Sequence, residues 1–314
     1  MVGYVLCWKK DKHNSKRNLN HCQKERNMFI WKPTADCSQP ISSSGLVKYY
    51  LKFDLFVRFN CSSVMEVQYF SGTSGILLPY KNKSYFPDSL KDRSRLSVYS
   101  LLFNSLEVNS SFYKIPRKET VARWSQETSD NFRFTFKLWK GITHQKGLIF
   151  EPSDVVRFLD IINAVGNKKG CLLIQLPPSA TFSLLIKLDE LLKCIATDTR
   201  SLGWHICVEF RHRSWYCQKT LILLKSYGMN LVLHDKDGCG IYNMMHAEND
   251  IIYLRFHGPE GDYKGSYENA VLHEYKGYIK EWLAEGKEVY VYFNNTIGDA
   301  IKNLRTLEEY VKRG

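Results

Sequence analysis

Charged residues stand at the ends of several strand-like segments of this chain, where they could carry out acid–base or anion-binding chemistry. The clearest segment is HICVEFRHRSW at 205–215, in which apolar residues alternate with Cys207, Glu209 and Arg211. Because the side chains of a strand alternate between two faces, Glu209 and Arg211 share the face opposite the apolar one. The segment QKTLILLKSYG that follows has helical spacing, so the apolar face has a helix to pack against. We therefore predict that Glu209 and Arg211 point into an enclosed space.

Other segments show the same combination of an apolar face and a face that becomes polar towards the end of the segment. In 132–138, for example, three phenylalanines alternate with Arg133, Thr135 and Lys137. The polar residues predicted at the carboxyl ends of the strands, with two histidines on the loops that follow, are Glu107, Asn109, Lys137, His144, Gln175, Glu209, Arg211, His212, Asp235, Arg255, His257 and Asn294.

These segments belong to a regular alternation of strand and helix patterns, which is typical of a parallel sheet with crossover helices. We predict strands at 69–74, 105–109, 132–138, 171–176, 205–211, 230–235, 251–257 and 289–294. We predict helices at 87–103, 118–127, 153–165, 182–195, 215–227, 268–284 and 298–312, and the pattern of 238–249 is too irregular to assign.

Eight strands in about 250 residues are the count and length of a TIM (β/α)8 barrel, an α/β fold with eight parallel strands. An open doubly wound sheet is the alternative, but its central strands would be apolar on both faces. The one-sided polarity of these strands favours the barrel, whose C-terminal mouth is where such folds place their chemistry.

The first 64 residues differ in composition from the rest. The whole chain of 314 residues has 44 Lys and Arg against 32 Asp and Glu. Residues 1–64 contain 11 basic and 4 acidic residues, so they contribute +7 of the net charge of +12. They show no sustained periodicity that matches the later repeat. We predict that 1–64 is a basic extension that is poorly ordered or not native, and that 65–314 forms a single barrel domain.

The sequence also bears on the location of the protein. No stretch of eighteen successive apolar residues occurs, and the opening MVGYVLCWKK lacks the pattern of a secretory signal. The nine cysteines contain no CxxC pair, and Cys171 and Cys207 lie in strand-like runs where a reduced cysteine is a small core residue. We predict a cytoplasmic protein that has no contact with a membrane.

Seven motifs occur in order from about Tyr69 onwards: GTSG at 72–75, LEVNSSFYKIP at 106–116, FTFKLWKGITH at 134–144, QLPPS at 175–179, VEFRHRSW at 208–215, YLRFHGPEGDYKGSY at 253–267 and YFNNT at 292–296. Together they resemble the domain-of-unknown-function family 72, the YecE-like proteins. The resemblance implies a TIM barrel and no established reaction, and it does not cover residues 1–64.

The sequence favours a metal-free enzyme that acts on an anionic small molecule bearing a phosphate or a carboxylate. Glu209 is the first candidate for a general acid or base, followed by His257 and Glu107. The other polar residues of the mouth are candidates for substrate binding, because Lys137, Arg211 and Arg255 favour an anion. The glycine-rich loop HGPEGDYKG at 257–265 could bind phosphate through its backbone amides. We predict no cofactor and no metal, and the oligomeric state is left open.

Three other interpretations compete with this one. The charges could form a satisfied ion-pair network, with Glu209 paired to Arg255 or Glu107 to Lys137. A metal-dependent phosphodiester hydrolase would use Glu107, Glu209, Asp235 and His257 as ligands. A non-catalytic protein that binds nucleic acid or nucleotides would use aromatic side chains for stacking. That third class is possible but not favoured, since residues 65–314 carry a net charge of only +5; its stacking candidates are Tyr113, Trp139 and Trp215.

Overall fold

Eight parallel strands form the centre of the protein in this computed structural model, which describes residues 69–236 and 250–313. All of them belong to the second of two units into which the chain divides, Ser63–Gly314. The predicted extension at 1–64 and the segment 238–249 lie outside the described residues. The strands are β1 Tyr69–Thr73, β2 Ser105–Val108, β3 Arg133–Lys137, β4 Lys169–Gln175, β5 His205–Glu209, β6 Asn230–His234, β7 Ile251–Phe256 and β8 Glu288–Phe293.

The strands follow one another around a barrel. Each of β2 to β7 pairs with the next strand in sequence, and β8 pairs with β1. A bridge between Ser74 and Glu107 joins the remaining edges of β1 and β2. The predicted α/β fold of the TIM-barrel type is therefore confirmed, and the eight predicted strands are all present with ends shifted by two residues or fewer.

Helices follow most of the strands on the outside of the sheet. Their bounds are α1 Arg95–Tyr99, α2 Ser110–Tyr113, α3 Lys118–Gln126, α4 Lys140–Thr143, α5 Pro152–Ile162, α6 Leu185–Ala196, α7 Gln218–Ser226, α8 Asn269–Ala284 and α9 Ala300–Lys312. Within the described residues, none of these helices is long and apolar enough to cross a membrane.

The helix predicted at 87–103 is wrong in its extent. The structure has a short 3-10 turn, Asp88–Leu90, and then the separate helix α1. Ser94 between them has extended backbone, and its side chain accepts a hydrogen bond of 3.0 Å from the Ser97 backbone N–H. A serine in this position begins a new helix rather than continuing an existing one. The helix predicted at 215–227 is also shorter, because Cys217 is extended and α7 begins at Gln218.

The two faces of the sheet bury different residues. The outer face and the helices share one large apolar core, which includes Phe134, Val208 and Leu254. A smaller cluster fills the inside of the barrel and includes Tyr253, Tyr290 and Tyr292. The Tyr292 hydroxyl lies 2.5 Å from Ser105 Oγ and 2.7 Å from Thr135 Oγ1, so its polar end is satisfied inside the barrel.

Side chains complete the seam between β1 and β2, where the sheet has a single backbone bridge. Asn104 accepts a hydrogen bond from the Ser71 N–H and donates one to the Tyr69 carbonyl. The hydroxyl of Tyr99 accepts a 2.7 Å bond from the Thr73 N–H and donates to the Ser105 carbonyl at 3.1 Å. Buried backbone groups need such partners, so α1 contributes directly to the closure of the barrel.

Substitution of Tyr99 by phenylalanine should destabilise the fold by about 1 to 3 kcal/mol, because it leaves the buried Thr73 N–H without its acceptor. The free energy of unfolding in urea measures this loss. Tyr85→Phe is the matched control, since the Tyr85 side chain is 62% exposed and its change should stay within about 0.5 kcal/mol. Equal stability of Tyr99→Phe and the wild type would contradict the role of Tyr99 in the seam.

Candidate functional site

The carboxyl ends of β2, β3, β5 and β7 bring five charged residues together inside the mouth of the barrel. They alternate with apolar residues of the outer core, as the strand pattern predicts. All are at least nine-tenths buried: Glu107, Lys137, Glu209, Arg211 and Arg255.

Arg255 is the centre of this group. Its Nε donates to Glu107 Oε2 at 2.8 Å and its Nη2 to Glu107 Oε1 at 2.6 Å. Its Nη1 donates to Glu209 Oε2 at 2.5 Å. One guanidinium thus neutralises two buried carboxylates, and its two-point contact with Glu107 fixes its orientation. The predicted Glu209 to Arg255 pair is present, and Glu107 pairs with Arg255 rather than with Lys137.

Glu107 has a full set of hydrogen-bond partners. Besides Arg255, it accepts bonds from the hydroxyls of Ser74 and Tyr253. Burial by itself would raise the pKa of Glu107, but Arg255 and these hydroxyls hold it below its usual range. Glu107 therefore remains an ionised structural carboxylate, which does not favour its predicted role as a catalytic acid or base.

Glu209 is likewise held ionised. Burial favours its neutral form, yet Arg211 and Arg255 outweigh that effect and keep the pKa of Glu209 well below its usual range. Its Oε1 is in ion-pair contact with Arg211 Nε, although the two atoms lack the geometry of a hydrogen bond. A carboxylate in this state is a weak base near neutral pH, so proton transfer by Glu209 is less favourable than the sequence suggests.

His257 is a neutral imidazole whose tautomer follows from its neighbours. Its Nε2 lies 2.9 Å from Arg211 Nη2, which can only donate, so Nε2 is the acceptor and Nδ1 carries the proton. Nδ1 lies 3.2 Å from Asp235 Oδ1, which also accepts from the His257 backbone N–H. Burial lowers the pKa of His257 to about 4 against the opposing effect of Asp235. Asp235 thus orients His257, and His257 orients Arg211.

Lys137 differs from the arginines because no carboxylate neutralises it at close range. Across 69–236 and 250–313, none lies within ion-pair distance of its Nζ, which rests 4.0 Å from the centre of the Phe112 ring. Burial and then the nearby charge of Arg255 lower the pKa of Lys137 to about 8. Near neutral pH this amine exists in both protonation states.

Other residues predicted for the site lie at its edges. Gln175 accepts a long 3.5 Å hydrogen bond from Arg211 Nη2. His144 is half-buried and its ring contacts Thr143 Oγ1. Burial, and then the charge of Lys137, lower the pKa of His144 to about 4. Asn294 is buried one residue beyond β8, and its N–H donates to the Phe256 carbonyl.

Two residues predicted for the site make their contacts elsewhere. Asn109 lies beyond the end of β2 in helical backbone and lines a 170 Å³ cavity with Leu106 and Val108, which belong to the outer core. The strand alternation that placed it inside the barrel ends one residue earlier. The His212 Nδ1 accepts from the Ser214 N–H and caps the 3-10 turn Arg213–Trp215.

The glycine-rich loop at 257–265 uses several of its amides within the loop or on its neighbours. The Gly258 N–H donates to the Tyr267 hydroxyl at 2.6 Å, and the Gly261 N–H donates to the Gly258 carbonyl at 2.8 Å. Tyr263 has a φ of 68°, which is uncommon for a residue other than glycine, and its N–H donates to the His257 carbonyl. These three amides, which were candidates for phosphate binding, therefore already have partners within the protein.

Sequence reasoning missed several residues that complete the site. Tyr253 and Ser74 both bond Glu107, and Tyr267 donates to Asp235 Oδ2. His234 is buried at the end of β6, where its Nε2 contacts the Phe210 carbonyl and the Tyr216 hydroxyl. Tyr253 could have been found, because it lies two residues before Arg255 and therefore on the same inner face of β7.

The same geometry bears on the metal-dependent and the nucleic-acid-binding interpretations. The proposed metal ligands are engaged with arginines, tyrosines and each other, and no group of three His, Cys, Asp or Glu within the described residues could hold a metal ion.

Trp215 is a core residue that stacks on Phe210 and donates to the Ala180 carbonyl, so it offers no stacking surface. Tyr113 is 63% exposed and Trp139 is half-buried.

Residues 70–314 match the family model described as protein of unknown function DUF72. The chain belongs to the DUF72 family. This agrees with the resemblance carried by the seven motifs, and it extends over the whole barrel.

One relative and one solved structure are similar to this chain over most of the barrel, and a second relative is similar over a part of it. UPF0759 protein YunF of Bacillus subtilis is 28% identical over 258 residues, which cover 72% of this chain and 89% of that protein. UPF0759 protein YecE of Escherichia coli K12 is 38% identical over 87 residues, 28% of this chain and 31% of that protein. A crystal structure of a DUF72 family protein from Enterococcus faecalis V583 has a TM-score of 0.65 and 22% identity, and the match covers 79% of this chain and 96% of that one. It shows the shared fold.

Replacement of Arg255 by methionine should destabilise the protein by about 3 to 5 kcal/mol, because it leaves Glu107 and Glu209 buried without their shared cation. Unfolding in urea measures the loss. Lys118→Met removes a pair with Asp160 that is half exposed at both ends, so it should cost less than about 1 kcal/mol. An Arg255→Met protein as stable as the wild type would show that Arg255 is available for a ligand instead.

Folding stability should fall as the pH drops from about 6.5 towards 4. Unfolded His257 takes up a proton near its ordinary pKa of 6.5, whereas the folded form resists protonation until about 4. The contribution of His257 is therefore complete above 6.5 and is lost through this window, by at most about 3 kcal/mol. The lowered pKa of half-buried His144 adds to the same slope. Urea unfolding at steps between pH 7 and 4 measures the slope.

His257→Gln should reduce that slope, and His273→Gln, at an exposed position of α8, should leave it unchanged. Identical slopes in the wild type and His257→Gln would contradict the buried neutral state of His257. Glu107 and Glu209 add a further loss only at lower pH, because their pKa values are lowered in the folded protein.

Proposed function

We propose that this protein is a metal-free enzyme that binds an anionic small molecule, with a carboxylate or phosphate group, at the C-terminal mouth of its barrel. The proposal rests on one observation, a buried nitrogen of Arg211 that lacks a hydrogen-bond partner. Its Nη2 contacts His257 and its Nε faces Glu209, but Nη1 is buried without any hydrogen-bond acceptor among the described residues. A buried guanidinium N–H without an acceptor is costly, and an anionic oxygen is the partner that relieves this cost best.

The balance of charge supports the same conclusion. Arg255 and Arg211 are matched by Glu107 and Glu209, which contact them directly. Lys137 then remains as a cation in the mouth with no carboxylate of the described residues in ion-pair contact. A phosphate or carboxylate that reaches Arg211 and Lys137 would give Lys137 the ion-pair partner that it lacks, in a site with little water, where ionic contacts are strong.

The protonation states suggest how the proton-transfer roles are divided. Glu107 and Glu209 are held ionised, and His257 is held neutral with its Nε2 facing Arg211. Of the charged residues at the mouth, Lys137 has a pKa of about 8, which is suited to giving and taking a proton near neutral pH. We therefore assign the acid–base role to Lys137 and the positioning roles to Glu209 and His257.

A cytoplasmic location is part of this proposal. Cys171 and Cys207 are free thiols in neighbouring strands of the barrel interior, and Cys194 and Cys217 are free as well. Unpaired cysteines in these positions suit a reducing compartment.

A nucleic-acid binder is the second candidate, and one observation favours it. Tyr113 is exposed near the mouth, and Lys140 Nζ lies 5.7 Å from its ring centre, which is a pairing that base-stacking proteins use.

Inorganic phosphate should raise the melting temperature of the full chain, because it binds the folded form through Arg211. Arg211→Lys should weaken phosphate binding by about 10-fold or more, since lysine cannot reproduce the fixed array of guanidinium N–H groups. Thermal melts over a phosphate series measure both effects.

Arg200→Lys is the matched control, because Arg200 pairs with Asp198 just before β5 at the opposite end of the barrel. It should bind phosphate as the wild type does. Stabilisation that survives Arg211→Lys unchanged would contradict an anion site at the mouth. Binding confined to oligonucleotides, with a steep dependence on salt, would favour the second candidate instead.

A further inference from the structure

Among the residues that the structure describes, two lysines are almost fully buried, and they differ in what surrounds the amine. Lys168 Nζ donates to the backbone carbonyls of Ser125 and Thr128, at 2.6 and 2.7 Å. Its amine hydrogens are therefore held by acceptors in helix α3 and in the residues just after it. Lys137 Nζ lies instead against the face of the Phe112 ring, at the end of the strand that opens into the mouth. An aromatic face attracts the ammonium form only weakly compared with two carbonyls or a carboxylate.

The groups that face Lys137 come from four other strands or loops. Arg255 on β7 and Arg211 after β5 oppose its positive charge, whereas Glu209 on β5 and Glu107 on β2 favour it. His144, on the loop after β3, also feels the charge of Lys137. Because each of the two carboxylates is already in contact with an arginine, neither is in position to take the ammonium as a direct partner.

We propose that Lys137 is a covalent nucleophile that forms an imine with an anionic carbonyl compound, an aldehyde or ketone that also bears a carboxylate or phosphate. This inference rests on the proposed function and deepens it, because it names the class of the substrate and the group that reacts with it. Arg211 holds the anionic group, and the carbonyl carbon lies against Lys137. A lysine without a hydrogen-bonding anchor, in a desolvated site beside cations, is the kind of amine that carries out this chemistry.

The step balances without an external reagent. The free amine of Lys137 adds to the carbonyl carbon and gives a carbinolamine, which forms one C–N bond. Loss of the hydroxyl group as water, with protons transferred within the site, then gives the C=N bond. Starting from the ammonium form, the products are a protonated imine and one water, so no proton, oxidant or reductant enters or leaves.

The state of the amine makes the reaction accessible near neutral pH. At pH 7 a lysine whose pKa is about 8 has a free amine about 300 times as often as one at the ordinary value of 10.5. Lys137 should therefore be modified at a pH at which exposed lysines react slowly.

Reductive trapping tests the proposal on the full chain. The protein is incubated at pH 7 with pyruvate or with dihydroxyacetone phosphate in the presence of cyanoborohydride, which reduces an imine to a stable amine. Pyruvate carries a carboxylate and dihydroxyacetone phosphate carries a phosphate, so separate samples test the two anionic groups. Peptide mapping by mass spectrometry then locates the adduct. We expect Lys137 to be labelled at least about 10 times faster than Lys140, the exposed lysine three residues further along the chain.

Four comparisons make the result specific. Acetone, which lacks the anionic group, should label Lys137 poorly, and inorganic phosphate should slow labelling by pyruvate. Lys137→Arg keeps a cation in the mouth and should lose the adduct at this peptide while exposed lysines react as before. Lys168 should remain unmodified in all samples, because its amine is bonded to two carbonyls.

The outcomes separate this inference from the proposed function. Stabilisation by phosphate that depends on Arg211, with no adduct on Lys137 from either carbonyl compound, would overturn the imine and keep the anion site. Equal labelling of Lys137 and Lys140 would also overturn it, since that is the behaviour of an ordinary surface amine. If the wild-type protein neither binds phosphate nor forms an adduct on Lys137, the proposed function is overturned as well. Rapid labelling of Lys137 that phosphate suppresses would support both.

Discussion

The contact of one guanidinium with two buried carboxylates is the constraint on which the mouth of this barrel depends. Arg255, Glu107 and Glu209 come from β7, β2 and β5, which are widely separated around the barrel, and their side chains meet across its interior. None of the three charges could be buried alone, because desolvation would cost several kcal/mol for each ion. The ion pairs therefore require the barrel to be closed, and the seam at Tyr99 and Asn104 that joins β1 to β2 has a direct effect on the site.

From Arg255 the interactions continue in both directions as a chain of ion pairs and hydrogen bonds. In one direction they pass through Glu209 and Arg211 to His257 and Asp235, and in the other through Glu107 to Ser74 and Tyr253. Each member fixes the orientation of the next, so the site is organised before any ligand arrives. Nη1 of Arg211 has no acceptor among the described residues and no ion-pair contact of its own is seen, which is why the anion is proposed to bind there.

The strands and their faces could be predicted from the sequence because both follow from a local property, the two-residue alternation of side chains. That alternation placed Glu107, Lys137, Glu209, Arg211 and Arg255 inside the barrel, where the structure has them. It failed for Asn109, because β2 ends at Val108 and the backbone turns helical. The pairing of the charges was predicted only in part: Glu209 pairs with Arg255 as one interpretation had it, but Glu107 pairs with Arg255 and not with Lys137. The pairing depends on distances across the barrel between residues as far apart in sequence as Glu107 and Arg255.

Burial alone does not assign a role to a charged residue, and the two lysines show why. Lys137 and Lys168 are exposed to a similar small extent, 7% and 5%. Lys168 is anchored by two backbone carbonyls, and it joins the start of β4 to the C-terminal end of helix α3. Lys137 lies against an aromatic ring with arginines nearby and no carboxylate of the described residues in ion-pair contact, so its charge is compensated only in part. A buried lysine with complete hydrogen bonding is part of the architecture, whereas one that lacks it is available for chemistry.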